Sequence, residues 1–342
     1  MRRYAAVEEA NVVALADLDA EAVSRGLAIM EKTGQTKPTH LFHGREGWKA
    51  LCSLEDVDLV VICTDWDSHT PIALRAMEEG RHVAIEVPAA TSVEDCSRLV
   101  EVSHRSGRYC TMLENCCYDT FHLGIMEMAR RGLFGDICHC EGAYIHDLRD
   151  LYCRPGYWMP RVTRGHRGNP YPTHGIGPVC QLLDIGDPDD RLARLVSMTA
   201  PNQVNNTLLQ TERGRTVLLQ FDERTPRPYS RLQTLCGTKG YAQKYPLPTI
   251  QTTEHGLLTG SKAESTVQSY WDDETRRLIS LGMAKGVENT MNYVMDCRLV
   301  DALRKGLSPD ISVEEAALWS CLTELSALSV SRGGQPVEIP TF

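Results

Sequence analysis

Residues 11–17 read NVVALAD, a β-branched run that ends on an acid. Asp19 and the helical segment Ala20 to Lys32 follow, with Val23, Leu27 and Met30 on one stripe. That is one strand–helix unit. The alternation continues with a strand over 58–64 (DLVVICT), a helix over 69–79, a strand over 82–87 (HVAIEV), a helix over 91–106 and a strand over 109–115. Near-continuous apolar strands between helices predict an α/β fold with a buried, Rossmann-type parallel sheet. Thr70 before Pro71, and Thr91 with Glu94, are the expected helix starts.

Ligands of such a sheet lie beyond the carboxyl ends of its strands. Here those ends are Asp17, Thr64 to Asp67, Glu86-Val87-Pro88 and Glu114-Asn115. An acid in the place of Asp17 can hydrogen-bond a ribose hydroxyl of NAD, and its charge repels the 2′-phosphate of NADP. The plain alternative is a helix-capping loop residue.

The pattern lacks its usual opening. The first glycine, Gly26, already lies inside a helix, so the first strand and its glycine-rich turn are missing, and residues 1–9 read as the tail of an absent helix. Without that central strand, the segments 11–17 and 58–64 must pair directly or leave backbone groups unsatisfied. Two explanations are an upstream start and a degraded paralogue that binds NAD weakly or not at all. The chain as it stands reads as cytoplasmic, and any export signal would lie upstream.

After a helix over about 118–131 the texture changes. Residues 137–144 alternate between faces as an antiparallel strand, and 195–199, 207–211 and 216–221 continue the pattern, with Glu212 to Arg215 as a hairpin turn. Strands over 229–235 and after Gly240 complete an open, mainly antiparallel sheet, and helices over about 290–305 and 313–331 close the chain, the latter with Ser312 and Glu315 as a capping box. This divides the chain into a Rossmann-like domain, 1–117, and an α+β domain, 118–342, whose last helices could pack back on the first. Strands 137–143 and 217–221 would supply an apolar face for a homo-oligomer contact.

The 342 residues carry 36 Lys+Arg against 45 Asp+Glu, a net charge of −9, which argues against a nucleic-acid partner. With 42% hydrophobic and 24% charged residues the composition is that of a globular chain, and no run approaches the roughly 18 apolar residues of a membrane span. Of thirteen cysteines, Cys52, Cys63, Cys96, Cys110, Cys180, Cys236, Cys297 and Cys321 fall in apolar periodic segments and read as reduced core residues. The pairs Cys116-Cys117 and Cys138-His139-Cys140 lack zinc-site spacing, so no metal is expected.

The chemistry concentrates between Tyr144 and His174, where Tyr144, His146, Tyr152, Tyr157, Trp158, Arg161, His166, Asn169, Tyr171 and His174 crowd one connection. A loop this long is usually functional. Its aromatic and hydrogen-bonding side chains suit a sugar. His174 precedes an apolar segment and so sits near a helix N-terminus, whose positive end disfavours imidazolium and leaves a neutral proton acceptor. A histidine that merely caps the helix is the competing reading.

These features resemble the Gfo/Idh/MocA oxidoreductase superfamily: the parallel first half, the Glu86-Val-Pro88 turn and Gly237-Thr-Lys-Gly240. More narrowly, Glu114-Asn-Cys-Cys-Tyr-Asp119, Gly142 to Arg149 (GAYIHDLR), Tyr171 to Pro178 (YPTHGIGP) and Pro226 to Arg231 (PRPYSR) resemble the NAD-dependent α-N-acetylgalactosaminidases of glycoside hydrolase family 109. The resemblance implies NAD contacts from Asp17, Trp66, Asp67, Ser68, His69, Glu86, Val87 and Asn115. It implies sugar contacts from Tyr144, Arg161, Tyr171, Pro172, Thr173, His174 and Tyr229.

The implied chemistry is oxidation at the sugar C3, loss of the C2 proton with expulsion of the C1 substituent, addition of water and re-reduction. His174 would accept the C3 hydroxyl proton, and Tyr229 or Tyr144 would be the base at C2. Dehydrogenases of the wider superfamily carry Lys where this chain has Val87, which favours the glycosidase over a sugar dehydrogenase.

Overall fold

The alternating strand–helix pattern folds as parallel sheet, but in two pieces. Strand β1 (Ala14–Asp17) pairs in parallel with β2 (His40–His43), while β3 (Leu59–Ile62), β4 (His82–Ile85) and β5 (Cys110–Met112) form a second parallel sheet in that order. Of the two outcomes open to the segments 11–17 and 58–64, direct pairing is not adopted. The computed structural model describes residues 2–186, 189–201 and 203–342, and among these β1 and β3 belong to separate sheets. Met1 of the opening segment lies outside the described residues.

These strands belong to one of two units, made of Met1–Ala89, Ser97–Leu113 and Asp273–Ala316. Helix Ala20–Lys32 begins at Asp19, whose carboxylate accepts from the Glu21 N–H at 2.9 Å, and buries Val23 and Met30 against Leu15. Helix Trp66–Glu78 starts earlier than expected. Asp65, in extended conformation, takes the cap position from Thr70, and Pro71 lies inside the helix at the cost of one backbone bond. The Arg3 guanidinium ties the opening turn, Arg2–Ala5, to Asp296 of helix Thr290–Arg304 through bonds of 2.8 and 2.6 Å, and to Glu86 at 2.7 Å.

The second unit comprises Ala90–Cys96, Glu114–Asp272 and Ala317–Phe342. The start of helix Val93–Ser106 is capped by Ser92 with Asp95, both bonds at 3.1 Å, rather than by Thr91 with Glu94. In the first unit the Ser312–Glu315 capping box forms as read, at 2.8 and 3.1 Å.

The body of this unit is one nine-stranded sheet. Its members are β6 (Ile137–Ile145), β7 (Leu192–Thr199), β8 (Asn205–Thr211), β9 (Thr216–Asp222), β10 (Ser230–Gly237), β11 (Gly240–Gln243), β12 (Thr249–Thr252), β13 (Gly256–Thr259) and β14 (Val337–Glu338), in the order β13-β12-β11-β10-β6-β9-β8-β7-β14. Every pairing is antiparallel except β6 with β9, so β6 is antiparallel only towards β10. Val217, Leu219 and Phe221 point inward and are buried, which removes them from any oligomer face. The exposed apolar side chains of this sheet include Met198 on β7 and Leu208 on β8.

One charged knot fastens the sheet to a helix. Asp119 caps helix Thr120–Arg130 by accepting from the Phe121 and His122 N–H groups at 3.0 and 3.2 Å, and its second oxygen accepts from Arg231 of β10 at 2.7 Å and from Lys244. Burial alone would raise the Asp119 carboxyl, but the two cations outweigh it and hold the group at about 2. Replacing Asp119 by Asn should therefore destabilise the protein by about 3–5 kcal/mol, because Arg231, only 3% exposed, keeps a buried charge without its counter-ion. The folded carboxyl lies below its unfolded value, so the stabilisation is present above about pH 4 and is lost as the pH falls towards 2. Urea melts of both proteins from pH 7 to pH 2 check this: the gap between them should close in acid.

Candidate active site

The aromatic loop converges on the first turn of helix Thr173–Leu182. That helix lies directly on β6: a Cβ at Gly142 would collide with the Gly175 carbonyl, and a Cβ at Gly175 would stand 2.8 Å from the Ala143 nitrogen. Two glycines thus allow backbone to touch backbone. The contact fixes the position of His174, one residue before Gly175.

Around His174 the rings of Tyr144 and Tyr171 stand with centroids at 5.5 and 4.9 Å, and 4.8 Å from each other. The Tyr144 hydroxyl is 3.2 Å from Nδ1 of His146, whose ring meets that of Tyr229 edge-on at 5.2 Å. Tyr144, Tyr171, Thr173, His174 and Tyr229 are therefore brought together as expected. Tyr229 is 44% exposed, the wet rim of the cluster, and Arg161 stands exposed on the short helix Met159–Thr163.

His174 has a partner that sequence reasoning left as a strand end. Its Nδ1 lies 2.6 Å from Oε1 of Glu114, a side chain with no exposed surface. Burial alone would depress the imidazole, but the Cys116 sulfur and the Glu114 carboxylate overcome it and hold His174 well above its ordinary value. This corrects the expectation of a histidine kept neutral by the helix dipole: a charge at hydrogen-bond distance outweighs the half-charge of a helix end. Glu114 itself is penalised by burial, yet the imidazole and the Cys116 N–H at 3.1 Å keep it below the usual carboxylate range.

His146 is among the loop residues named without a role. Burial lowers its pKa, and burial raises both Tyr144 and Tyr229 well above the phenol range. A neutral imidazole against a neutral phenol is a hydrogen-bonded pair through which one proton can pass.

In the first unit, the predicted cofactor residues cluster at strand ends. Asp17, exposed at the end of β1, uses one oxygen to accept from the Asp19 N–H at 2.9 Å and has a second for a ribose hydroxyl. Asp67 is exposed in the first turn of helix Trp66–Glu78, Trp66 donates to the Val87 carbonyl at 3.2 Å, and Ser68 bonds Asp65 at 2.6 Å. His69 is buried, with its ring nitrogens 2.9 Å from the Pro88 carbonyl and 3.2 Å from that of Thr64. Glu86 is held by Arg3. Asn115 falls in the second unit, where its Oδ1 lies 3.4 Å from the Cys116 sulfur. The exposed Asp17 carboxylate fits the ribose recognition that a dinucleotide requires. Among the described residues no glycine-rich turn stands ready for its pyrophosphate.

The fold and its strand-end residues define an oxidoreductase-type dinucleotide-binding protein, and comparison agrees. Residues 3–113 match the family described as oxidoreductase family, NAD-binding Rossmann fold, whose cofactor is NAD. A levoglucosan dehydrogenase solved in complex with NADH superposes with a TM-score of 0.79 at 14% identity, covering 100% of this chain and 96% of that one. Residues 118–205 and 200–342 match the family described as glycosyl hydrolase 109, C-terminal domain. An alpha-N-acetylgalactosaminidase of Bacteroides fragilis is 43% identical over 375 residues, covering 100% of this chain and 88% of that protein. A glycosyl hydrolase family 109 protein of Phocaeicola vulgatus is 44% identical over 377, covering 100% and 91%. The chain belongs to glycosyl hydrolase family 109.

If His174 accepts a proton during turnover, it must first lose its own. kcat/KM should then fall on the acid side of a pKa above the usual 6.5. Glu114→Gln removes one of the two groups that hold this pKa up, so the acid limb of the pH–rate profile should move to lower pH while kcat drops. An unmoved limb would disconnect Glu114 from His174.

Proposed function

We propose that this chain hydrolyses terminal α-linked N-acetylgalactosamine, or a close amino-sugar analogue at the end of a glycan, by an internal oxidation–elimination–addition–reduction cycle. The observation that carries this is the Glu114–His174 pair. An ordinary glycosidase works with two carboxylates that face the sugar, whereas here the carboxylate faces a histidine. A carboxylate–imidazole pair is the apparatus for moving a proton off a hydroxyl. NAD, when bound, supplies reversible hydride transfer at a sugar carbon.

His174 takes the proton of the C3 hydroxyl as that carbon is oxidised and returns it at the end, with Glu114 balancing the imidazolium charge in between. With C3 at the ketone level the C2–H is acidic. The base at C2 is best supported as the Tyr144–His146 pair, since a phenol whose pKa burial raises can take a proton only by passing its own to the imidazole. Tyr229, closer to water, remains the alternative. Tyr171 and Thr173 orient the ring, and Arg161 would reach the sugar's outer polar groups. The relatives named as alpha-N-acetylgalactosaminidase support the sugar, and Val87 in place of the superfamily's lysine argues against a simple dehydrogenase.

His174→Ala should lower kcat by about 10²-fold or more with the fold intact, and His146→Ala should do the same if it is the terminal acceptor. Turnover of a nitrophenyl α-N-acetylgalactosaminide in deuterated water, without added cofactor, should place deuterium at C2 of the product. Hydrolysis without that label would overturn the elimination route, and net NADH formation from free sugars would mark a dehydrogenase instead. We also propose a homo-oligomer contact through the exposed sheet face that carries Met198 and Leu208, which light scattering would test.

A further inference from the structure

We propose that Glu114, Cys116 and His174 form a binding site for a thiophilic divalent cation such as Zn²⁺, and that occupancy of this site switches the enzyme off by taking His174 out of proton transfer. The first half of the statement stands on geometry; the second rests on the role given to His174 above.

Three elements meet here. Glu114 leaves the end of β5 as the cap of the single 3₁₀ turn Asn115–Tyr118, Cys116 sits within that turn, and His174 comes from the first turn of helix Thr173–Leu182. One donor atom from each, a carboxylate oxygen, a thiol sulfur and a ring nitrogen, lies within 4.8 Å of the other two. Donors around a tetrahedral zinc stand roughly 3.5 Å apart, given bonds of about 2.0–2.3 Å, so small side-chain movements close the site.

The local bonding leaves capacity for a cation. Glu114 has no exposed surface, and its Oε2 lies near the Thr173 hydroxyl without a hydrogen bond of normal length. The sulfur of Cys116, 2% exposed, makes a 3.4 Å contact with Asn115 Oδ1 and faces the imidazole. A buried carboxylate with a spare oxygen, beside a thiol in contact with the imidazole, gathers three different donors within reach of one cation.

The donor set selects the metal. Sulfur, nitrogen and a single carboxylate favour Zn²⁺, Co²⁺ or Cu²⁺ over Mg²⁺ and Ca²⁺, which demand oxygen shells. Three protein ligands leave a fourth position for water or a sugar hydroxyl. On binding, the cysteine coordinates as thiolate and the ring nitrogen that served Glu114 gives up the proton it donates there, so both protons pass to solvent and that nitrogen is committed to the metal. Cys117, the neighbouring buried cysteine, stays a core residue.

The test uses the purified holoenzyme after chelator treatment. Co²⁺ titration should produce a thiolate-to-cobalt charge-transfer band in the near ultraviolet, and Zn²⁺ should inhibit turnover in a way that chelator reverses. Cys116→Ser, measured against its own metal-free rate, should lose the band and need at least tenfold more Zn²⁺ for half-inhibition. His174→Ala, read by the cobalt spectrum alone, should weaken the band as well. The site is overturned if no band appears, or if the band survives in Cys116→Ser, since the exposed thiols Cys63, Cys138 and Cys153 would then be its source. A band without inhibition would leave the site standing and refute the role of His174.

Discussion

The site depends on backbone meeting backbone at Gly142 and Gly175. A helix normally keeps its distance from a sheet by the thickness of its side chains. Removing the Cβ atoms at one crossing lets the first turn of helix Thr173–Leu182 settle on the middle of β6. His174 and Tyr144 of β6 then come within ring contact, and the same helix turn reaches the 3₁₀ turn that Glu114 caps. Gly177 extends the contact, since a Cβ there would stand 3.0 Å from both the Glu114 side chain and the Trp319 ring. The GIG within Tyr171 to Pro178 is thus a packing device, and its consequence is the Glu114–His174 bond.

Much of this was legible in sequence because it rests on local signals. Helix Ala20–Lys32 begins and ends where its cap and stripe say, and the Ser312–Glu315 box forms as its spacing requires. The aromatic loop stood out because Tyr, His, Arg and Asn crowd a single connection between Tyr144 and His174. Boundaries slipped where two caps competed. Asp65 and Thr70 are both competent, and the structure prefers the longer helix even with Pro71 inside it.

What could not be read was long-range. Glu114 looked like any polar strand end, and its partner lies 60 residues away. The pairing of Asp119 with Arg231 spans 112 residues and depends on an irregularity in β10, where Leu232 and Gln233 adopt left-handed backbone and shift the register against β6. No glycine announces that bulge. β2, β12 and β13 escaped although they are no shorter than β1, β3 and β4, because they lack the flanking β-branched apolar runs (NVVALAD, DLVVICT, HVAIEV) that announce those three.

Electrostatics explains why this site should do redox-assisted rather than direct displacement chemistry. A carboxylate can act as nucleophile or acid at a sugar only if it reaches the anomeric carbon or the leaving oxygen. Glu114 is fully covered and spends its charge on an imidazole. The pair stores a proton-accepting site whose charge is already compensated, so taking up a proton from a sugar hydroxyl creates no new buried charge beyond the one Glu114 was placed to meet. The neighbouring Tyr144–His146 contact works on the opposite principle, since burial keeps both members neutral and favours a relay over a standing ion pair. Two proton sites of opposite electrostatic character, set in one cluster of edge-packed rings, suit a reaction that removes one proton from oxygen and another from carbon.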